Sequence, residues 1–216
     1  MKKIIYVTIL SILTMLPAYS VGINVGISGS LAAFHATGED NENGEISKED
    51  AAGAAGYGSI FVEKTLGDRL AIGIDYVPTA LESETSETVV EDLKGEDDGA
   101  SSNQTNKVQV DFEDLTTLYL ALNINENLYV KAGLVKVDVI TNESLDTGST
   151  YANTDMDGEV FGIGYNTQFG NGIFARIEGN YMDFGSASVT GSNTENKISL
   201  NNLEGVSGKI SIGKSF

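Results

Sequence analysis

The hydrophobic pattern at the end of the chain most narrows the choice of fold. Within residues 206–216, apolar residues alternate with polar or small ones. The apolar side consists of Val206, Gly208, Ile210, Ile212 and Phe216, and the polar side of Ser207, Lys209, Ser211 and Gly213. A period of two over about ten residues indicates a β-strand with one apolar and one polar face. Lys214 departs from the pattern, because it is a charged residue on the apolar side.

The same alternation recurs along most of the chain. It marks eight segments, at residues 22–34, 57–66, 70–77, 108–123, 128–140, 159–167, 173–184 and 197–216. Tight turns at residues 67–69, 125–127 and 170–172 alternate strictly with long polar connections. The pattern therefore predicts an all-β fold, an eight-stranded antiparallel up-and-down barrel with short turns at one end and long loops at the other.

The polar side of each segment indicates which kind of barrel this is. A soluble, lipocalin-like barrel would turn its apolar residues inward and would need a polar exterior. Here the second side of each segment carries Gly, Ser, Asn and charged residues, which suits a polar interior behind a lipid-facing wall. The mean hydropathy of −0.06 is compatible with this, because only alternate residues of a membrane barrel face lipid. We therefore favour a transmembrane barrel.

Three stretches carry a resemblance to a known group of proteins. Residues 58–76, 128–133 and 175–181 resemble the small outer-membrane β-barrels of the opacity-protein and OmpA type, and the resemblance covers residues 21–216. It implies a location in the outer membrane of a Gram-negative cell, in contact with lipid and lipopolysaccharide, and a protein that consists of the barrel alone. A closed barrel needs no partner strand, so we expect a monomer.

The end of the chain also resembles the closing strand of these barrels. In that family a C-terminal aromatic residue, preceded by apolar residues at alternate positions, is read by the barrel-assembly machinery. The resemblance therefore implies an assembly signal formed by Ile210, Ile212 and Phe216.

The beginning of the chain has the pattern of an export signal. Lys2 and Lys3 precede an apolar run at residues 4–16, and Ala18 and Ser20 give the small-x-small pattern of a cleavage site. We predict a signal peptide at residues 1–20, removed after Ser20, and a barrel domain at residues 21–216. A retained anchor is the alternative. Export would follow the general secretory pathway, with chaperones that deliver the chain to the assembly machinery.

Composition excludes several classes of function. The chain of 216 residues has no Cys, which rules out disulfides, thiol nucleophiles and Cys-based metal sites. It carries 31 acidic residues against 13 Lys and Arg, a net charge of −18. Nucleic acid is therefore not an expected partner, because phosphate contacts need clustered basic residues.

Charged residues on the polar side of the segments predict a network inside the barrel. If the apolar side faces lipid, the interior receives Asp75, Asp111, Glu113, Lys131, Arg176 and Glu178. Buried charges are costly unless paired, so we expect Arg176 and Lys131 to bridge the carboxylates. The network is either the polar core of the barrel or a plug that rearranges to pass small ions. The alternation changes phase near Asp114 and between Leu134 and Val135, which leaves the facing of nearby residues open.

The long connections are acidic, and two of them contain calcium-like spacings. Residues 39–50 place Glu39, Asn41, Asn43 and Asp50 at the first, third, fifth and twelfth positions of an EF-hand loop, with Gly44 at the sixth. The stretch departs from that pattern at both ends and lacks helical flanks. Residues 153–158 form a second, partial match. These spacings make Ca²⁺ the one candidate cofactor. A solvated acidic surface is the simpler interpretation of the same residues.

The sequence offers little support for catalysis. His35 is the single histidine, and a dyad would need Ser28, Ser188 or Ser192 beside it in space. We therefore predict no catalytic residues. The leading interpretation is a barrel with a structural or surface-interaction role, either envelope integrity or adhesion through its acidic external loops to an unidentified ligand. The alternative is a narrow porin-like channel for ions or small solutes.

Overall fold

The computed structural model describes residues 22–42, 45–83, 85–92, 102–144, 150–192 and 197–216. The predicted signal peptide, residues 1–20, lies outside the described residues. Among the residues that are described, no helix is long and apolar enough to cross a membrane.

Eight long strands form a closed antiparallel ring, as predicted. The strands in chain order are β1 (Ile23–Glu42), β2 (Glu45–Leu66), β3 (Leu70–Tyr76), β4 (Leu81–Glu82), β5 (Ser86–Asp92), β6 (Ser102–Asn123), β7 (Leu128–Ser144), β8 (Thr154–Gln168), β9 (Ile173–Phe184), β10 (Ala187–Thr190) and β11 (Lys197–Ser215). The ring runs β1-β2-β3-β6-β7-β8-β9-β11, and pairing of β11 with β1 closes it. The short strands β4 and β5 add to β6, and β10 adds to β11.

The predicted long loops are in large part extensions of the strands. Strands β1 and β2 stay paired up to Glu42 and Glu45, although residues 35–56 read as a polar connection. Thr37 donates a hydrogen bond to Asp50 across this hairpin, at 3.0 Å. Ala36 still packs inside, but beyond it most residues of the extension are small or polar on both faces, so they no longer alternate between apolar and polar.

The outer wall of the ring carries a band of exposed apolar side chains near the tight turns. Leu31 is 76% exposed and Ile210 68% exposed. The band consists of Ile23, Val25, Ile27, Leu31, Ile60, Val62, Leu120, Leu122, Val130, Leu134, Phe161, Ile163, Tyr165, Ile173, Ile177, Tyr181, Val206, Ile210 and Ile212. We call its upper boundary the rim, where the outward residues become charged at Lys136, Glu159, Asp183 and Glu204.

The interior changes chemistry at the same level, in the opposite sense. Below the rim the inward positions hold polar side chains. At and above the rim they hold an apolar cluster formed by Ala36, Val77, Leu115, Val135, Val137, Val139, Met156, Val160, Met182, Phe184 and Leu203. The barrel is therefore apolar outside and polar inside below the rim, and polar outside and apolar inside above it.

This inversion explains the two changes of phase in the sequence. Strand β7 keeps its faces throughout: Tyr129, Lys131, Val135 and Val137 all point inward, and the phase changes because apolar residues move from the outer to the inner face. Strand β6 behaves differently. It contains a β-bulge between Glu113 and Thr116, with Asp114 at a φ of 54°, and the bulge turns the strand over.

Glycines inside the barrel lie directly opposite aromatic residues on neighbouring strands. Cross-strand partners include Gly26–Phe61, Gly73–Tyr119, Gly164–Tyr129, Gly205–Phe34 and Gly213–Phe174. A Cβ atom at Gly164 would lie 2.3 Å from the Cζ atom of Tyr129, and one at Gly73 would lie 2.4 Å from that of Tyr119. The missing side chain therefore provides the space for the ring.

We expect Gly164→Ala to destabilise the barrel by about 1–3 kcal/mol, because the added methyl group overlaps the Tyr129 ring in a filled interior. The measurement is the urea midpoint of unfolding for the protein refolded into detergent micelles. Gly179→Ala is the matched control on β9, since a Cβ atom there meets no atom within 4 Å. Equal midpoints for the two variants would contradict the steric account.

Candidate functional site

Three ion pairs cross the interior below the rim. Arg176 on β9 makes a two-pronged contact with Glu63 on β2, with Nη1–Oε2 and Nη2–Oε1 distances of 2.7 and 2.8 Å. Lys209 on β11 donates to Asp75 on β3, with an Nζ–Oδ2 distance of 2.8 Å. Lys131 on β7 pairs with Glu178 on β9. The Arg176–Glu63 and Lys209–Asp75 pairs join strands three positions apart in the eight-stranded ring, and so tie distant walls together, whereas the Lys131–Glu178 pair spans only β8.

The Glu63 carboxylate is the most completely satisfied group of the network. Its side chain is only 2% exposed, and it also accepts hydrogen bonds from Asn24 Nδ2 at 2.8 Å and Tyr119 Oη at 3.1 Å. Four donors on three residues thus compensate one buried carboxylate. Burial of this kind is tolerated because the charge is both paired and hydrogen-bonded.

Aromatic rings surround the Arg176 guanidinium. Its Cζ atom lies 4.6 Å from the ring centre of Phe174, 5.4 Å from that of Tyr129 and 5.6 Å from that of Phe61. These distances are within the range of cation–π attraction. Arginine suits this position because its flat guanidinium can stack on rings while its edge holds a carboxylate.

Tyr129 links the Arg176 pair to the next one along the barrel. Its hydroxyl donates to Glu178 Oε2 at 2.7 Å, and Glu178 also holds Lys131. The Lys131 ammonium in turn lies 5.1 Å from the ring centre of Tyr119. The tyrosines therefore connect the Arg176–Glu63 and Lys131–Glu178 pairs, and the Lys209–Asp75 pair lines the same small space as Lys131. We call these residues together the interior network: Glu63, Asp75, Tyr119, Tyr129, Lys131, Arg176, Glu178 and Lys209.

The structure places four of the six predicted interior charges in this network, namely Asp75, Lys131, Arg176 and Glu178. The sequence reasoning missed Glu63 and Lys209. Both could have been found from the sequence. Glu63 is a charged residue within the alternating segment 57–66, and Lys209 is the charged residue on the polar side of the closing strand.

The prediction was wrong for Asp111 and Glu113, which lie on the outer surface. The bulge after Glu113 reverses the facing of β6, so that Val110 and Phe112 pack against the interior cluster instead. Asp111 accepts hydrogen bonds from Asn142 Nδ2 at 2.6 Å and Gln109 Nε2 at 3.1 Å.

Two cavities flank the network. A cavity of about 360 Å³ opens at the tight-turn end, and Glu63 and Arg176 are among the residues that line it. A much smaller space of about 20 Å³ lies farther up the barrel, beside Asp75, Lys131 and Lys209. The larger cavity resembles a vestibule, with the Arg176–Glu63 pair where it meets the network.

The predicted calcium loop does not form in the described residues. Residues 39–41 and 46–50 belong to paired strands, Glu39 binds Lys48 at 3.0 Å, and Asp50 is held by Thr37. Asn43 lies outside the described residues. Within the described ranges no group of three or more acidic or histidine side chains could hold a metal ion. In residues 153–158, the second calcium-like spacing, Asp155 and Asp157 contact Lys136. Asn153 accepts a hydrogen bond from the Thr141 backbone N–H.

The histidine and the first of the candidate serines lie on opposite faces of β1. His35 is exposed on the outer side, whereas Ser28 is buried inside and shares a hydrogen bond of 2.9 Å with Ser211. These two residues therefore do not form a nucleophile–base pair.

The residues of the predicted assembly signal lie on the outer wall. Ile210 and Ile212 belong to the apolar band, and the Phe216 ring is exposed with the Lys214 ammonium 5.1 Å from its centre. The Phe216 backbone pairs with Ile23, so the aromatic end also helps to close the ring. Lys214 departs from the apolar pattern because it reaches over this terminal ring.

No protein-family model and no curated protein sequence matches the chain. Several solved structures resemble it. OprG, an outer-membrane protein of Pseudomonas aeruginosa, has a TM-score of 0.58 at 13% identity, over 90% of this chain and 96% of that one. The outer-membrane protein AlkL has a TM-score of 0.55 at 13% identity, over 93% and 95%. OmpT, an outer-membrane protease of Escherichia coli, has a TM-score of 0.51 at 11% identity, over 94% and 100%.

The fold is that of a small outer-membrane β-barrel, and the apolar band is its lipid-facing wall. The tight turns accordingly mark the periplasmic end and the strand extensions the outer end. The similar structures OprG, AlkL and OmpT are outer-membrane proteins, and their fold is the one that this chain shares. The similar structures include a protease, so the fold by itself leaves the role of the chain undetermined.

We expect Glu63→Gln to cost about 3–5 kcal/mol of unfolding free energy, because it leaves the buried Arg176 charge uncompensated. The double variant Glu63→Met/Arg176→Met removes both charges and should recover most of the loss. Urea unfolding in micelles measures both effects. Glu39→Gln is the control, because the exposed Glu39–Lys48 pair should contribute at most about 1 kcal/mol. A Glu63→Gln variant as stable as the control would contradict the role of the network.

Proposed function

We propose that this protein is a closed, non-enzymatic outer-membrane scaffold that displays rigid acidic β-hairpins outside the cell and binds partners with cationic surfaces. The interior network carries this proposal. Three ion pairs and the tyrosines bound to them occupy the section of the barrel where a solute would have to pass. Function is then expected at the outer end.

The hairpin of β1 and β2, residues 35–52, has the properties of a binding element, and we call it the outer prong. It extends about eight residues beyond the apolar band, which is roughly 25 Å at about 3.3 Å per residue. Strand β11 pairs with its β1 side as far as Asn41, so the prong is a three-stranded sheet. A paired sheet loses less conformational entropy on binding than a flexible loop does, so the prong is preorganised for binding.

The charge of the outer end supports a cationic partner. Three lysines at this end are already engaged with acids, namely Lys48 with Glu39, Lys107 with Glu87 at 2.6 Å, and Lys136 with Asp155, and Lys197 is exposed beside the prong. Further described acids at this end include Glu82, Glu113, Asp183 and Glu204. A surface of one sign attracts a partner of the opposite sign and speeds its association.

The alternative function is a narrow channel for ions or small solutes. The vestibule at the periplasmic end favours it, because it brings water to the Arg176–Glu63 pair. The saturated hydrogen bonding of Glu63 speaks against a freely moving gate, since opening would break a two-pronged contact and two further hydrogen bonds.

A shortened prong tests the proposed function. Thr37 and Asp50 are direct cross-strand partners, so replacing residues 38–49 by Asn-Gly gives a two-residue hairpin turn that preserves the register. The deletion removes five acidic residues and one lysine. We expect it to weaken the binding of a lysine-rich peptide to the barrel in nanodiscs of neutral lipid by about tenfold. Binding should also become less sensitive to salt.

A variant of matched charge separates the prong from overall charge. Amide substitutions at Glu82, Glu113, Asp138 and Asp183 remove four negative charges outside the prong. We expect this control to bind the peptide more tightly than the shortened prong does. Equal weakening in both variants, or a wild-type protein that does not bind the peptide, would refute a binding role for the prong.

A further inference from the structure

Strand β2 has a long unpaired edge on the side that faces β3. Strand β1 covers the other edge of β2 from Glu45 to Lys64. On the β3 side, pairing is confined to Ile60–Leu66. After Tyr76 the chain leaves β2, and β4 and β5 bond to β6 instead. Among the described strands, none pairs with this edge of β2 over residues 45–59.

The residues along this edge are small and uncharged. Residues 51–58 read Ala-Ala-Gly-Ala-Ala-Gly-Tyr-Gly, and all but Ala55 and Tyr57 are exposed. They contain neither the charged side chains nor the proline that normally protect an exposed strand edge. A second strand can therefore approach the backbone closely. Residues that prevent edge pairing are common in natural sheets, so a bare edge of this length indicates a use.

The last paired position between β2 and β3 shows where a strand from another protein could add to β2. Ile60 and Tyr76 are the final partners between β2 and β3, and the apolar band continues above Ile60 on β1 to Leu31, the partner of Gly56. The next residues, Val77 and Pro78, turn toward β6, where the Val77 backbone N–H donates to the Leu115 carbonyl. A strand added above this point would continue the position of β3, antiparallel to β2. It would enter from the water side of the rim, where Ala52 is level with His35 and Glu204, and its inner end would lie at the upper part of the apolar band.

The acidic residues near the unpaired edge of β2 favour the addition of a strand with basic side chains. Asp50 lies in the prong beside this edge, and Glu82 lies on β4, the strand after the chain leaves β2, whereas Glu87 on β5 is already paired with Lys107. An extended segment with basic side chains would meet these acids while its backbone bonds to β2. Strand addition of this kind takes affinity from main-chain hydrogen bonds and specificity from side chains.

We propose that the free edge of β2, residues 51–58, is a strand-addition site that takes an extended, basic peptide segment of a partner protein. This inference rests on the proposed function, since it names how the cationic partner binds beside the prong. It adds a requirement that charge attraction lacks: the backbone amides of the partner must be free to bond.

The test uses two peptides of the same sequence, with alternating lysine and valine residues and blocked ends. One has an ordinary backbone, and the other is N-methylated at every residue, which removes the donors from both edges of the strand without changing charge. We expect the ordinary peptide to bind the nanodisc-embedded protein at least about tenfold more tightly. On binding it, amide hydrogen exchange should slow at residues 51–58, and the methylated peptide should leave those amides unchanged.

The outcomes separate this inference from the proposed function. Equal binding of the two peptides, without protection of residues 51–58, would overturn strand addition while leaving charge-based binding by the prong intact. No binding of either peptide would overturn both. Because the test changes the peptide and uses the wild-type protein, it does not depend on a β2 variant that folds. Exchange on residues 60–66, already paired with β3, is the internal control and should not respond.

Discussion

The structure depends on a change of surroundings along the barrel axis. Below the rim the outer wall meets hydrocarbon, so the apolar residues face outward and the polar ones must be accommodated inside. Above it the wall meets water, and the arrangement reverses: Lys136 and Asp138 face out while Val135, Val137 and Val139 pack inside. Each strand therefore has to exchange its apolar face at the rim. Strand β7 does so by changing its sequence phase and β6 by inserting a bulge.

Burying charges in the lower half creates the second requirement, which the interior network meets. A lone carboxylate or guanidinium there would cost several kcal/mol, so each charge is bound to an opposite one, and the Glu63 and Glu178 carboxylates also accept hydrogen bonds from tyrosine hydroxyls. Steric fit and charge pairing depend on the same residues. Tyr119 lies over Gly73 and donates to Glu63, and Tyr129 lies over Gly164 and donates to Glu178. The glycines thus determine where the tyrosine hydroxyls reach the carboxylates.

Much of this architecture could be predicted from the sequence, because the lower barrel obeys a simple rule. The alternation in residues 206–216 and the regular spacing of tight turns were sufficient for strand number, order and the outward apolar face. The rule stops at the rim. In the extensions of β1 and β2, small or polar residues occupy both faces, so the apolar and polar residues do not alternate. Residues 39–50 had the spacing of a calcium loop, although residues 39–42 and 45–50 belong to paired strands.

The inward position of a site residue could be predicted only on strands where apolar and polar residues alternate without interruption. Arg176 and Glu178 on β9 follow an uninterrupted alternation, and both lie in the network. Asp111 and Glu113 precede the bulge at Asp114, whose positive φ no periodicity reports. The free edge of β2 was also beyond sequence reasoning, because it depends on where β3 ends and which neighbour the chain joins next.

Single-channel recording in planar bilayers tests most directly whether the interior network closes the barrel. The refolded wild-type protein, shown to be inserted by its heat-modifiable migration, should give no steady conductance. The double variant Glu63→Ala/Arg176→Ala, which removes the pair at the inner end of the vestibule, should give stable openings. Steady wild-type conductance that the double variant leaves unchanged would contradict the account, since solutes would then pass by a route that the network does not control.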